Sequence, residues 1–375
     1  MSDERIAGGP GHDLPEPEPL ATYRSMRRFG ETPEPAGDGV SQAAATTGDR
    51  PRFVIQEHHA TSLHWDLRLE HNGVLVSFAV PKGLPWSPDE NHLAVHTEDH
   101  PLEYLDFAGE IPDGSYGAGR MMVWDEGTYE PEEMAEDKFK FVLHGRRVEG
   151  RYAIFPWKGR NWMVHRMDPP QDPSRAPLPT DLRPMRPRSG PLPLGDGWSH
   201  ELCWPGCRVL VASAGGRASV YDAAGNDVGG AVPEVRRIGD ALGSTEVVLD
   251  GVLVALDDDG APTTDAESVH NRLVAGDRRG RRRPRVAVML FDLLWLDGHP
   301  RLDDPLSARR RLLTDLRLDG SGWQTPATSH VPPADLLDVA RSRGFGLLVA
   351  KRFDSPYRPG EESDDWVVGD EVSAD

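Results

Sequence analysis

The chain has 375 residues, 38% of them hydrophobic, and its 61 acidic and 42 basic side chains give a formal net charge of −19. At about 150 residues per domain, this length predicts two or three domains. The sequence lacks the run of about 18 apolar residues that spans a membrane, and its first residues lack the apolar region of a secretory signal. Its two cysteines cannot build a disulfide framework. We therefore expect a cytoplasmic protein with no membrane partner.

The first 50 residues are rich in Pro, Gly, Glu and Asp, which predicts a largely disordered N-terminal segment. The motif YRSMRRFGETPEP at residues 23–35 is an exception, because it carries aromatic and basic side chains. Residues 51–168 then alternate short β-branched or aromatic runs, such as FVIQ and VLVSFAV, with turn sequences. Runs of this length and spacing predict a mainly β domain, either a barrel or a sandwich.

Residues 169–196 contain nine prolines, a density that neither a helix nor a central strand tolerates. This composition predicts an exposed, semi-rigid linker. In residues 197–375, strand-like runs such as VVLDGVLVAL alternate with segments of helical spacing at 303–318 and 334–343, so we expect an α+β domain. The run DRRGRRRPR, residues 277–285, is a candidate phosphate contact in an otherwise acidic chain.

The sharpest chemical pattern is the motif HHATSLHWDLRL. If residues 63–69 form a strand, alternation puts a tryptophan and two leucines on one face, which must be the core. The opposite face then carries His64, Asp66 and Arg68, and one histidine of the upstream HH pair can fold back onto it. Two histidines and an aspartate are a common ligand set for a divalent metal, and an arginine beside them suits a bound phosphate. The alternative is an ordinary polar outer face.

A second cluster, LAVHTEDHPLEY at residues 93–104, concentrates Glu98, His100 and Tyr104 near the end of a predicted strand. A histidine there, followed by a proline-led turn to a tyrosine, can supply an acid and a donor to phosphate. The alternative is a charged loop without chemistry. The glycine-rich DGSYGAG at residues 113–119 is interpreted as a turn between strands rather than as a nucleotide-binding loop.

Six segments of the N-terminal half share their order and spacing with one family. They are RRFGETPEP (27–35), FVIQEHHATSLHWDLRLEHNGVLVSFAVPKG (53–83), LAVHTEDHPLEYLDFAGEIPDGSYGAG (93–119), VWDEGTYEP (123–131), KFKFVLHGRRVEGRY (138–152) and GRNWMVHRMD (159–168). Through these segments the chain resembles the 3′-phosphoesterase domain of the bacterial DNA ligase D family, which repairs double-strand breaks by end joining.

This resemblance implies a phosphoesterase-like β-barrel that holds one manganese-like ion. The family motif His-x5-His-x-Asp-x-Arg falls on His58 rather than His59. It implies that His58, His64 and Asp66 are the metal ligands. Arg28 stands where the family has an aspartate, which favours phosphate removal over ribonucleoside trimming. The other site positions that the resemblance implies are the catalytic His100, Arg68 and Tyr104 and the substrate-binding Arg68, Lys82, Glu98, Arg27 and Glu34.

Residues 198–368 carry segments such as WSHELCWPGCRVLV and FDLLWLDG, which resemble the adenylation domain of ATP-dependent DNA ligases. That family uses a Lys-x-Asp-Gly-x-Arg motif, whose lysine bonds covalently to AMP. Here the window is CWPGCR, with Cys203 in place of the lysine and Pro205 in place of the aspartate. The family's Asp-Gly-Glu likewise ends in Val252. The resemblance therefore implies a degenerate, nucleotidyltransferase-like α+β domain that forms no adduct with ATP.

From these observations we predict a metal-dependent phosphoesterase that processes DNA or primer 3′ ends in double-strand break repair, with Mn²⁺ or another divalent metal as its cofactor. The ligase-like domain is predicted to be catalytically dead. The family implies bacterial Ku and separate polymerase or ligase chains as partners, in a nucleoid-associated, cytoplasmic setting. Two other functions are considered: a non-catalytic scaffold that binds DNA ends, and an active ATP-dependent DNA ligase, against which the missing lysine argues.

Overall fold

The computed structural model describes residues 20–37, 50–275, 284–329 and 331–373. The chain divides into two compact units, the first ending at Gln171 and the second beginning at Asp172. Most of the predicted disordered segment lies outside the described residues, and so does most of the arginine-rich run. In the described part of the chain, no helix combines the length and apolar content that crossing a bilayer requires.

The first unit is built almost entirely from antiparallel strands. A short helix, α1 (Ala21–Ser25), precedes them, and a 3₁₀ helix (Leu102–Asp106) lies between β4 and β5. The strands are β1 (Arg52–His59), β2 (Leu63–His71), β3 (Val74–Val80), β4 (Asn91–His96), β5 (Gly109–Ile111), β6 (Gly119–Ala135), β7 (Lys138–Gly145), β8 (Glu149–Lys158) and β9 (Asn161–Arg166).

Eight of these strands close into a barrel in the order β1-β2-β3-β4-β9-β8-β7-β6, because β6 also pairs with β1. β5 adds to the outside edge of β6. The side chains alternate along each strand, and one set fills the interior, where Leu67, Phe78 and Phe141 are fully buried. Trp65 and Leu69 of β2 also point inward, as their alternation predicts. The prediction of a mainly β barrel is confirmed.

The outer face of β1–β3 is covered rather than solvated. Tyr23 of α1 and Tyr104 of the 3₁₀ helix pack with Val54 and Leu75 in a second apolar cluster outside the barrel. The amide of Gln56 on β1 donates to the carbonyls of Tyr104 (2.9 Å) and Phe107 (2.8 Å) and so anchors the cover. As a result, polar side chains that point outward from β1 and β2 are buried between the barrel and this layer.

The second unit is α+β, as predicted. Its strands form a four-stranded sheet in the order β10-β20-β19-β11 and a seven-stranded sheet in the order β13-β12-β14-β15-β18-β17, with β16 on β15. The strands are β10 (Arg186–Ser189), β11 (Trp198–Leu202), β12 (Cys207–Ala214), β13 (Arg217–Asp222), β14 (Val247–Leu256), β15 (Arg285–Leu296), β16 (His299–Pro300), β17 (Asp319–Gly320), β18 (Trp323–Gln324), β19 (Leu348–Arg352) and β20 (Glu362–Gly369). The helices are α2 (Pro233–Arg236), α3 (Ile238–Leu242), α4 (Ala266–Ala275), α5 (Leu306–Asp315) and α6 (Pro333–Ser342), with a 3₁₀ turn at Gly229–Ala231.

The proline-rich stretch 169–196 differs from the predicted exposed linker. Its β10 pairs in parallel with β20 at the edge of the four-stranded sheet. Met185 and Leu192 are fully buried, and the Met185 backbone N–H donates to the Tyr357 hydroxyl (2.8 Å). Proline excludes helices and central strands but is compatible with an extended edge segment. The second half of the stretch is therefore part of the second unit, and the prediction of exposure is wrong there.

A buried ion pair fixes α5 to the seven-stranded sheet. The Arg309 guanidinium donates to both carboxylate oxygens of Asp292 on β15 (2.9 Å each), and both side chains are fully buried. Burial raises the pKa of Asp292 even though Arg309 lies against it. The buried Asp292 carboxylate therefore depends on Arg309 to stabilise its negative charge.

We expect Arg309→Ala to lower the free energy of unfolding by about 3–5 kcal/mol, because it leaves the Asp292 charge buried and unpaired. Arg311→Ala is the matched control, since Arg311 lies two residues further along α5 and is exposed; its effect should stay within about 0.5 kcal/mol. Denaturant unfolding of the full chain measures both. Equal free energies of unfolding for the two variants would contradict a stabilising role of the Arg309–Asp292 ion pair.

Candidate metal centre

Three potential metal ligands meet where β1 and β2 approach their connecting turn. His58 and His64 are direct cross-strand partners in the antiparallel pair, and their rings lie 4.6 Å apart. Asp66 follows on the same face of β2. One ligand atom from each of the three residues lies within 4.8 Å of the others. His59 points to the opposite face, where its ring bonds Glu57 (2.7 Å), so the structure places His58 at the site.

The other hydrogen bonds of the two imidazoles orient their free nitrogens. His58 Nε2 bonds the Gly117 carbonyl (3.0 Å) and His64 Nδ1 bonds the Ser62 carbonyl (3.0 Å). Because a carbonyl only accepts, these nitrogens carry the protons, and His58 Nδ1 and His64 Nε2 keep their lone pairs. Each of these two nitrogens lies 3.6 Å from a different oxygen of Asp66, beyond hydrogen-bond range. Two lone pairs and a carboxylate thus converge without bonding one another, which fits a divalent ion.

Arg68 fixes the carboxylate of this ligand set. Its three donor nitrogens bond Asp66 (2.8 Å), Gln56 (2.7 Å) and Ser77 (3.1 Å), and the side chain is buried. Burial pushes the pKa of Asp66 upward, but the adjacent Arg68 charge opposes burial, and the pKa lies well below its ordinary value. Asp66 is therefore ionised at physiological pH, as a metal ligand must be.

Arg27, from the motif before the barrel, forms another wall of the site. Its guanidinium donates to Glu34 (2.6 Å), to Glu98 (3.0 Å) and to His100 Nε2 (3.2 Å). His100 Nδ1 in turn donates to the Glu98 carbonyl (2.8 Å). Burial, reinforced by the charges of Arg68 and Arg27, lowers the pKa of His100 well below its ordinary value. The ring is therefore a neutral imidazole.

Tyr104 closes the inner end of the site. Its hydroxyl donates to Glu34 Oε1 (2.5 Å), and the Arg68 guanidinium lies 4.8 Å from its ring centre. Burial raises the pKa of Tyr104 far above its ordinary value, so the phenol stays protonated. The second carboxylate oxygen of Glu34 is buried and has no hydrogen-bond partner among the residues that the structure describes. A buried acceptor without a partner is available to a ligand donor.

These groups surround a cavity of about 160 Å³. Of the ten site residues predicted from the sequence, eight line it: Arg27, His58, His64, Asp66, Arg68, Glu98, His100 and Tyr104. Glu34 lies behind Arg27 and Tyr104, whereas Lys82 is exposed in the turn after β3 and does not line the cavity. Arg28 also points away, with 84% of its side chain exposed.

Sequence reasoning missed three contributors to the site. Tyr116 lines the cavity and donates to Glu98 (3.3 Å), and Gly117 supplies the carbonyl that orients His58. Both belong to the DGSYGAG segment, which was interpreted as a turn only. Gln56, which bonds Arg68, lies on the site face of β1 two residues before His58. Residues two apart on a strand share a face, so the spacing of Gln56 and His58 is the sequence signal that could have identified Gln56.

The ligase-like window of the second unit lies beside a buried lysine. Lys351 on β19 donates to Glu201 on β11 (2.7 Å), and its ammonium lies 3.8 Å from the centre of the Phe291 ring. Cys203 follows β11, and burial raises the pKa of its thiol against the opposing charges of Lys351 and Arg208. Arg208 bonds both oxygens of Asp250 (2.6 Å each). Cys203 of the ligase-like window is thus a neutral thiol.

Two domain families match this chain. Residues 56–156 match the DNA Ligase D 3′-phosphoesterase domain, and residues 194–367 match the ATP dependent DNA ligase domain. The first unit thus carries a DNA ligase D 3′-phosphoesterase domain on a β-barrel with a candidate histidine–aspartate metal site, and the second carries an ATP dependent DNA ligase domain.

Individual relatives match both units together. The chain is 42% identical over 368 residues to the multifunctional non-homologous end joining protein LigD of Mycolicibacterium smegmatis, covering 95% of this chain and 46% of that protein. Identity to the LigD protein of Pseudomonas aeruginosa is 31% over 407 residues, covering 94% and 47%. The crystal structure of the ligase domain from M. tuberculosis LigD aligns with a TM-score of 0.44 and 32% identity, over 50% of this chain and 60% of that one. The chain spans about half the length of the curated relatives it matches.

Proposed function

We propose that the first unit is a metal-dependent phosphoesterase that removes phosphate from the 3′ ends of DNA or of a primer. The observation that carries the proposal is the convergence of two imidazole lone pairs and the ionised Asp66 on one cavity wall. Two arginines with largely covered side chains, Arg27 and Arg68, line the same cavity. A metal site beside fixed positive charge suits a phosphate group.

His58, His64 and Asp66 would hold the ion. A mixed nitrogen and carboxylate set favours Mn²⁺ over Mg²⁺, which prefers oxygen ligands and several waters. When bound, such an ion polarises a phosphoryl oxygen and stabilises the charge that builds up during displacement at phosphorus. Arg68 keeps Asp66 in place and adds positive charge, and the Tyr104 phenol stays protonated as a donor.

His100 is the group proposed to move a proton. Hydrolysis forms a bond from a water oxygen to phosphorus and breaks the bond between phosphorus and the 3′ oxygen, so the water loses a proton and the leaving oxygen takes one up. Burial and the charges of two arginines keep the imidazole neutral before a phosphate binds. The negative charge of a bound phosphate offsets those arginines and raises the pKa of His100, so the ring can carry the proton to the leaving oxygen.

The test is phosphate release from a 3′-phosphorylated oligonucleotide by the purified full chain. We expect release with Mn²⁺, none after treatment with a chelator, and recovery when Mn²⁺ is added back. The same assay with an oligonucleotide that ends in a 3′ hydroxyl shows whether cleavage of the strand contributes to the measured phosphate release. Release that is undiminished by the chelator, or binding of the 3′ end without release at any metal concentration, would overturn the proposal. The second outcome would favour the end-binding scaffold.

For the second unit we propose a ligase-like fold that does not ligate. The support is Cys203, a buried neutral thiol where the family has its nucleophilic lysine, together with Pro205 and Val252 in place of two carboxylates. A retained role in binding DNA or docking partners is consistent with its intact core. The proposed setting is end joining in the nucleoid-associated cytoplasm, with bacterial Ku and separate polymerase or ligase chains as partners.

A further inference from the structure

The hairpin between β8 and β9 carries an unusually exposed tryptophan. Trp157 is 68% exposed, whereas the other nine of the chain's ten tryptophans are buried or half-buried. A β-bulge leaves it without a cross-strand partner, because Pro156 pairs with Trp162 and Lys158 with Asn161. Bulges at barrel rims re-aim side chains and are over-represented next to active sites. None of the apolar clusters of the described residues includes Trp157, so its indole has no packing role.

The neighbours of Trp157 are basic and unpaired. Lys158 and Arg160 are both exposed, and Gly159 turns the chain between them with a φ of +58°. Among the described residues, neither cation has a carboxylate within ion-pair distance. The chain as a whole carries a net charge of −19. An exposed aromatic ring followed by two exposed cations is therefore a local exception, and an aromatic ring with nearby cations is the combination that binds single-stranded nucleic acid.

Arg160 connects this hairpin to the cavity. Its backbone carbonyl accepts from the His96 N–H (2.9 Å), and its side chain donates to the His96 carbonyl (3.2 Å). The next two residues, Thr97 and Glu98, line the cavity. β8 and β4 are separated by one strand, so Trp157 on β8 lies about 10 Å from the end of β4 by strand spacing, whereas Arg160 contacts that end directly.

We propose that the β8–β9 hairpin, residues 156–160, binds an unpaired nucleotide of the DNA strand whose 3′ end occupies the cavity. The base stacks on the Trp157 indole, and Lys158 and Arg160 contact the flanking phosphates. Stacking accepts any base, because every base has a π-face. About three stacked nucleotides at roughly 3.4 Å each span the separation from β4. The proposal rests on the proposed phosphoesterase function and adds a substrate preference: ends with an unpaired 3′ region over fully paired ends.

The experiment compares two substrates and five proteins. The substrates are a 3′-phosphorylated single-stranded oligonucleotide and a deoxynucleoside 3′-monophosphate, which occupies the cavity but cannot reach the hairpin. The proteins are the full chain, Trp157→Ala, Trp157→Phe, Lys158→Ala and the control Met167→Ala. Met167 follows the other end of β9 and is 41% exposed. Fluorescence anisotropy gives the Kd for the oligonucleotide, and phosphate release gives KM and kcat for both substrates.

We expect Trp157→Ala to raise the Kd and KM for the oligonucleotide about tenfold with kcat unchanged, a loss in the range of one stacked base. Trp157→Phe should recover most of the affinity, and Met167→Ala should have none of these effects. The KM for the nucleoside monophosphate should not change in any variant. Lys158→Ala should lower the slope of log Kd against log salt concentration by the amount that corresponds to the loss of about one phosphate contact.

Three results would overturn the proposal. The first is an unchanged oligonucleotide Kd in Trp157→Ala, and the second is an equal loss for both substrates, which would indicate damage to the cavity. The third is an equal loss in Met167→Ala. These outcomes are separate from failure of the phosphoesterase proposal. If the full chain binds the oligonucleotide through Trp157 but releases no phosphate, the catalytic function fails and the hairpin remains a nucleic-acid contact.

Discussion

Changing Asp66 to Asn should reduce metal-dependent phosphate release by about 10³-fold or more. Loss of an outer-shell partner typically costs 10–100-fold in metal proteins, and Asp66 is proposed as a direct ligand. The amide keeps the shape of the side chain but removes the charge that faces His58 and His64. Calorimetric Mn²⁺ titration should show a matching loss of affinity, so that binding and turnover fall together.

The fold of this variant can be checked separately. Arg68 loses a charged partner in Asp66→Asn but keeps Gln56 and Ser77, so thermal unfolding should still be cooperative. Asp106→Asn is the matched control, because Asp106 is an acidic residue of the same unit with 69% of its side chain exposed. It should keep wild-type activity and metal affinity. Full activity of Asp66→Asn with unchanged Mn²⁺ affinity would remove Asp66 from the ligand set.

Incubation with labelled ATP and a divalent metal should leave no covalent AMP on this chain. The reaction needs an uncharged nucleophilic amine close to the α-phosphate, and the position is occupied by Cys203, whose thiol pKa is raised by burial. The nearby Lys351 is tied to Glu201 by a buried 2.7 Å ion pair. Denaturing electrophoresis detects any adduct, with a lysine-containing ATP-dependent ligase labelled in parallel.

Restoring the lysine alone should not restore labelling. In Cys203→Lys the motif still lacks a carboxylate at Pro205, and β14 still carries Val252 where the family has a glutamate. We therefore expect the substituted chain to remain unlabelled. A stable adduct on the natural chain would show that the second unit adenylates. Its loss in Cys203→Ala would then identify the thiol, and its persistence would indicate another nucleophile.

The strand pattern predicts which face carries the candidate metal ligands, because alternation on β2 alone separates the inward Leu67 from the outward Asp66. Choosing His58 over His59 needed more than spacing. Their faces are set by the register of β1 against β2, which pairs His58 directly with His64. Arg27 could be placed only by resemblance, because its contacts with Glu98 and His100 join residues 71 and 73 positions apart.

Other features lay beyond local sequence reasoning. Proline content excludes helices, but it does not tell an exposed linker from an edge strand whose side chains are covered, as at Met185. Lys82 matches a family position but lies in an exposed turn away from the cavity. The sequence of a turn such as DGSYGAG also does not reveal which of its backbone carbonyls accepts a hydrogen bond, because every residue type carries the same carbonyl group.

The layer that covers β1–β3 is a weak point of this unit, because a protease can separate it from the barrel. Tyr23, Arg27 and Glu34 all come from residues 20–37, which contribute no strand to the barrel. A protease cut after residue 37 would leave every barrel strand and the three candidate metal ligands in place. We expect the remaining protein to melt cooperatively and to keep the proposed metal site, yet it would have lost the arginine that contacts His100 and the carboxylate that accepts from Tyr104. Preparations of this domain that look intact by stability alone can therefore be inactive, and mass measurement of the N-terminal end is the appropriate quality check.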